Sequence, residues 1–167
     1  MNKVGKLMLP HPTKCRITAE MFKSKHAHAP HPVFAIDGTS LDLWLSERLP
    51  DDWISDLVPA QGWLIDDADF ALAWRRIERI EEDCSTIVPV LVCSDDVDLS
   101  CSVIVVEQVG AINEIIWRRF GRPDESRGDQ CGATVKWFED CPSCEFDRSE
   151  FVAALAEFKR MMSDEWK

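Results

Sequence analysis

The stretch 87–120, IVPVLVCSDDVDLSCSVIVVEQVGAINEIIWRRF, limits the folds open to this chain more than any other. Three apolar runs rich in valine and isoleucine, 87–93, 101–106 and 112–120, are separated by polar breaks. Such side chains are stiff at χ1 and suit a pleated, half-buried surface. Each run has strand length and each break has turn composition, so the stretch predicts a three-stranded antiparallel meander. The first break, Ser94 to Ser100, is an acidic loop. In the second run Ser102 is the only polar residue before Glu107, as expected of a central strand covered on both faces. In the third run strict alternation sets Arg118 with Ile116 and Phe120, and Trp117 with Arg119 on the opposite face. Pro89 cannot donate to a ladder, so it belongs at an edge or where no donor is needed.

The flanking segments read as helices and short strands. Val33 to Ile36 is a strand ending in the turn pair Asp37-Gly38, after which Thr39 or Ser40 caps a helix carrying Leu41, Trp44 and Leu45. Asp51 and Asp52 open a second short helix with Trp53, Ile54 and Leu57, closed by Pro59. A longer helix is predicted over 66–82, with Asp66, Asp67 and Asp69 in the first turn, where the dipole favours anions. Its apolar stripe is Phe70, Trp74, Ile77 and Ile80. A polar loop over 121–132 leads to a fourth strand over 133–138. Asp147 and Glu150 form a capping box for a last helix with the stripe Phe151, Leu155, Phe158 and Met162. Strands adjacent to strands, with helices at the ends, predict an α+β domain: an antiparallel meander sheet with helices packed on one side.

Residues 1–32 read differently. They hold four prolines, all four histidines and little periodicity, so they are expected to form a flexible basic tail ahead of one domain over 33–167. His26, His28 and His31 lie close together, but no cysteine or carboxylate joins them at ligand spacing. The tail carries six lysines and arginines against Glu20 alone, so the rest is more acidic than the net charge of −11 implies. An acidic body argues against nucleic acid as partner, and favours plain solubility or a basic protein partner. No apolar run approaches the ~20 residues that span a bilayer. The apolar stretch near the start is broken by Pro10, so no secretory signal is read and a cytoplasmic location is expected.

The seven cysteines, an odd number, point to reduced thiols. Cys141-Pro-Ser-Cys144 has the spacing of a redox motif or half a zinc site. The helix cap lies beyond both thiols at Asp147, and no second such pair exists, so a turn with two reduced cysteines is expected. Cys131 is the nearest third ligand by sequence. Asp95, Asp96 and Asp98 offer oxygen ligands for Mg²⁺ or Ca²⁺, yet the loop lacks a glycine and a closing glutamate. No nucleophile elbow, P-loop or HExxH is present, and with the histidines in the tail a general base is missing from the expected domain. Neither metal nor cofactor is expected.

The segments DGTSLDLWL, LVPAQGWL, IVPVLVCSDDVDLSC, IIWRRFG and FDRSEF resemble the immunity proteins of bacterial polymorphic and contact-dependent toxin systems. The resemblance spans roughly 33–160 and implies a non-catalytic cytosolic protein that binds and blocks a cognate toxin domain. The residues themselves nominate two acidic clusters as contact points: Asp95, Asp96 and Asp98, and Asp51, Asp52 and Asp56. Trp53 and Trp117 are the candidate aromatic anchors. Two other readings stay open, a small metal- or thiol-dependent enzyme using Cys141 and Cys144, and a housekeeping interaction domain.

Overall fold

A computed structural model describes residues 12–25, 27–124 and 131–165. The predicted meander is present as β6 (Ser85–Cys93), β7 (Val103–Gly110) and β8 (Glu114–Pro123), paired antiparallel in sequence order. It is the middle of a larger sheet. β5 (Leu57–Pro59) extends the β6 edge. Along the outer edge of β8, β10 (Cys144–Asp147) pairs with residues 114–117 and β9 (Val135–Trp137) with residues 121–123. β1 (Thr13–Lys14) adds to β10 in parallel. The sheet is therefore seven-stranded, mixed and curled into a half-barrel, and not the simple antiparallel meander expected. Helix and strand content in one compact domain agrees with the expectation.

The expected tail also needs correction. Residues 1–11 and 26 lie outside the described residues, but β2 (Ile17–Phe22) pairs antiparallel with β3 (His31–Ile36) and β4 (Thr39–Ser40) completes a second sheet. Ile17 and Ala19 face inward, while Glu20 and Met21 are exposed. This outer strand alternates too weakly to stand out in the sequence, and it forms because β3 offers it a fully buried partner. The predicted Asp37-Gly38 turn joins β3 to β4 with φ of 50° and 83°, a left-handed pair that a tight hairpin requires.

Two bulges decide which side chains point inward. Between Pro89 and Leu91 the register of β6 against β7 slips by one residue, and Val90 is the extra. Pro89 thus sits beside a bulge, just past the end of β5 pairing. Between Glu107 and Gln108 the partner on β8 steps from Arg119 to Trp117, leaving Arg118 extra. Trp117 and Phe120 consequently share the inner face, and both are fully buried. Arg118 and Arg119 fall together on the other side, where each approaches the Glu107 carboxylate, at 3.7 and 2.6 Å. Strict alternation had set Trp117 opposite Phe120, and the inserted residue overturns it.

Four helices pack against the sheets: α1 (Leu41–Ser46), α2 (Ala60–Trp63), α3 (Asp67–Ile77) and α4 (Arg148–Glu165). α4 lies between the two sheets, with Phe158 stacked on Phe34 at 4.5 Å and Phe151 edge-on to Trp117. The Asp147 side chain accepts from the Glu150 N–H at 3.1 Å, as the capping box predicts. The second short helix is a 3-10 turn over Asp52–Asp56. The other face of β6 and β7 is not bare, as a one-sided arrangement would leave it. Val92, Val103 and Val105 pack there with Val97, Leu99, Cys131, and Leu72 and Ala73 of α3. α3 stops at Ile77 rather than near residue 82, because the buried Gln108 amide caps the Ile77 and Arg79 carbonyls, at 2.9 and 3.2 Å.

Candidate partner-binding surface

The strand register answers how the two acidic clusters are related. Leu57 pairs with Cys93, which sets Asp56, the last residue of the 3-10 turn, beside Ser94, the first of the acidic loop. α3 begins at the same end of the sheet, for the Ile65 N–H reaches the Val97 carbonyl at 3.3 Å. Asp66 caps that helix through the Asp69 N–H at 3.0 Å. Asp51, Asp52, Asp56, Asp66, Asp67, Asp69, Asp95, Asp96 and Asp98 therefore border one end of the half-barrel. Ile65 stands among them and is 75% exposed.

The carboxylates differ in what they do locally. Asp98 accepts from the Ser100 hydroxyl at 2.6 Å and its N–H at 2.9 Å, which holds its carboxyl below the usual range and spends it on the turn. Asp69 is pushed up, first by burial and then by Asp66 and Asp98. Asp56 meets Lys25 at 3.4 Å. Asp51, Asp52, Asp95 and Asp96 are exposed. Trp53 is half-buried against the core and carries the Arg122 guanidinium over its ring at 5.1 Å. Trp117 is wholly buried, with its indole N–H on Gln108 at 3.0 Å, and cannot anchor a partner.

A cleft of 590 Å³ opens beside this end, lined by Trp63, Leu64, Ile65, Asp67 and Phe70, with His31 in its wall. His31 belongs to the folded body, contrary to the expectation that all histidines lie in a tail. Its Nδ1 is 3.1 Å from the Pro32 carbonyl, which can only accept, so Nδ1 carries the proton of the neutral ring. Nε2 is then left to accept from the Ser24 hydroxyl at 2.6 Å. One signal in the sequence bore on this placement: Pro32 biases the residue before it toward extended backbone, continuous with the strand at Val33.

Cys131, Cys141 and Cys144 are buried. Burial pushes Cys131 up to about 11 and Cys141 up to about 12. Cys144 is also raised, by burial and by its neighbours Cys15 and Cys141. At neutral pH these three are protonated, the opposite of what a thiolate nucleophile needs. Cys101 is pushed up to about 11 by a hydrogen bond to Asp96, by burial and by a hydrogen bond to Cys93. Among the described residues no helix is long and apolar enough to cross a membrane. Comparison with protein-family models, with curated proteins and with solved structures returns no match.

Proposed function

We propose that this chain is a non-catalytic binding protein whose acidic end receives a basic protein domain, in the manner of an immunity protein that neutralises a toxin in the bacterial cytoplasm. One observation carries the reading: strand register brings two acidic clusters and the first turn of α3 together around an exposed isoleucine. Charges at the rim speed encounter, and a desolvated apolar residue at the centre supplies hold. Ile65, with the adjoining cleft, takes the anchoring role that the sequence had given to Trp117. The enclosed, protonated Cys141 and Cys144 weigh against the thiol-enzyme reading. The partner to test is a basic toxin domain; a toxin gene found next to this one would favour this reading over a housekeeping interaction domain. Stopped-flow association with that domain should slow in Asp52→Asn with Asp95→Asn, and dissociation should be faster in Ile65→Ser. Unchanged rates in both variants would remove this end from the interface.

A second reading rests on the Ser24–His31 pair, whose tautomer and 2.6 Å contact match a base-activated hydroxyl. Ser24 is only 3% exposed, which leaves a substrate little access. Covalent labelling of the whole chain by a fluorophosphonate, lost in Ser24→Ala, would replace the binding reading with a hydrolytic one.

A further inference from the structure

The acidic loop contains a second chemistry. β6 ends at Cys93 and the chain returns to β7 through Cys101, so the hairpin sets two half-exposed thiols side by side at its mouth. The loop between them is folded back on itself. The Val97 N–H bonds the Cys93 carbonyl at 3.0 Å, and Val97 and Leu99 are buried beneath it. Asp98 is turned toward Ser100, and Asp96 is turned toward the thiols. The two sulfurs and an Asp96 oxygen all lie within 4.8 Å of one another, and among the described residues no other three ligating side chains come together so closely.

We propose that Cys93, Asp96 and Cys101 bind a thiophilic divalent cation of the zinc type, with water in the fourth position. Zinc bonds to sulfur near 2.3 Å and to oxygen near 2.0 Å, so a tetrahedral ion wants its donors roughly 3.5–3.8 Å apart. The three ligand atoms lie within 4.8 Å of one another, so they must draw together by about an ångström to reach that geometry. Two thiolates select zinc, cobalt or cadmium over magnesium and calcium, which take oxygen ligands. Binding releases two thiol protons to solvent for one dication held, and the ion meets one carboxylate that the turn has not consumed. The surrounding aspartates raise the local concentration of cations. Cys141 and Cys144, by contrast, are buried beneath the sheet edge.

The test uses the full chain, reduced and free of oxygen, with Co²⁺ as the probe and Zn²⁺ as competitor. The expected result is one cobalt per chain with thiolate-to-cobalt charge-transfer absorption, bleached by one equivalent of zinc. Cys93→Ser and Cys101→Ser should abolish that absorption, and Asp96→Asn should weaken binding by ~10–100-fold. Cys144→Ser should leave it intact. A readout without variants runs alongside: zinc should protect Cys93 and Cys101 of the wild-type chain from maleimide, as mapped by mass spectrometry. Absence of the thiolate band in the wild type overturns the proposal, as does a band that survives both hairpin substitutions, or protection that falls on other cysteines.

Discussion

The central strands β6, β7 and β8 have two ends, and the chain treats them in opposite ways. At the end where β7 stops, backbone carbonyls are met by donors. The Gly110 N–H bonds the Cys84 carbonyl at 2.9 Å, and the Gly110 carbonyl accepts from Asp83 at 3.0 Å. Gln108 spans two carbonyls of the α3 terminus, and Arg148 reaches those of Ala111 and Ile112. So close is this packing that a methyl group on Gly110 would lie 2.2 Å from the Glu81 carbonyl oxygen. At the other end the carboxylates of Asp66 and Asp98 serve their own turns, Asp96 turns toward Cys93 and Cys101, and Asp51, Asp52 and Asp95 face solvent. The difference teaches where to look for function. Polar groups consumed by the backbone hold the fold, and charges left outward are free to meet something else.

That contrast breaks most visibly at Trp117, which sits near the closed end among Phe120, Phe146 and Phe151. Trp117→Ala should cost about 3–5 kcal/mol in denaturant unfolding, as large aromatic deletions in cores do. A loss well under 1 kcal/mol would return this residue to the surface. Next comes Gln108→Leu. It strips the Trp117 indole of its acceptor and two carbonyls of their donor, so roughly 1–3 kcal/mol should be lost.

Asp42 offers a pH-dependent test, since it is a buried carboxylate, unlike those of the acidic rim. Burial raises its pKa above the unfolded value, partly offset by the polar groups of Ser40 and Leu43 beside it. The protonated form is therefore favoured on folding. Its contribution is fully present below the unfolded carboxylate range and is lost as pH rises through the raised folded value. Asp42→Asn should melt higher than wild type at pH 7, with the advantage shrinking toward acid pH. An advantage independent of pH would contradict the assignment. The smallest effect belongs to the open end: Asp52→Asn with Asp95→Asn should change unfolding stability by no more than about 0.5 kcal/mol.

Much of this arrangement was legible in residue order. Valine and isoleucine runs gave away β6, β7 and β8, Asp66 and Asp147 gave the helix starts, and Asp37-Gly38 gave its turn. Local chemistry suffices for each of these. What stayed hidden depends on register. The bulge at Arg118 moves Trp117 into the core, and no local preference announces one inserted residue. β2 forms only because β3 lies beside it. The meeting of Asp56 with Ser94 follows from the pairing of Leu57 with Cys93, and the contact of Cys93 with Asp96 and Cys101 from the fold of one loop.

On the binding function proposed above, the open end receives a basic partner while the closed end only holds the sheet. This claim is tested most directly by the association rate with a basic toxin domain across a salt series, where screening acts over about 10 Å at 0.1 M. Wild type should associate fastest at low salt and slow steeply as salt rises. Asp52→Asn with Asp95→Asn should be slower and flatter, while neutralising Glu81 and Glu82 beside the closed end should leave the curve unchanged. A curve flattened by the Glu81 and Glu82 substitutions, and untouched by those at Asp52 and Asp95, would contradict the claim.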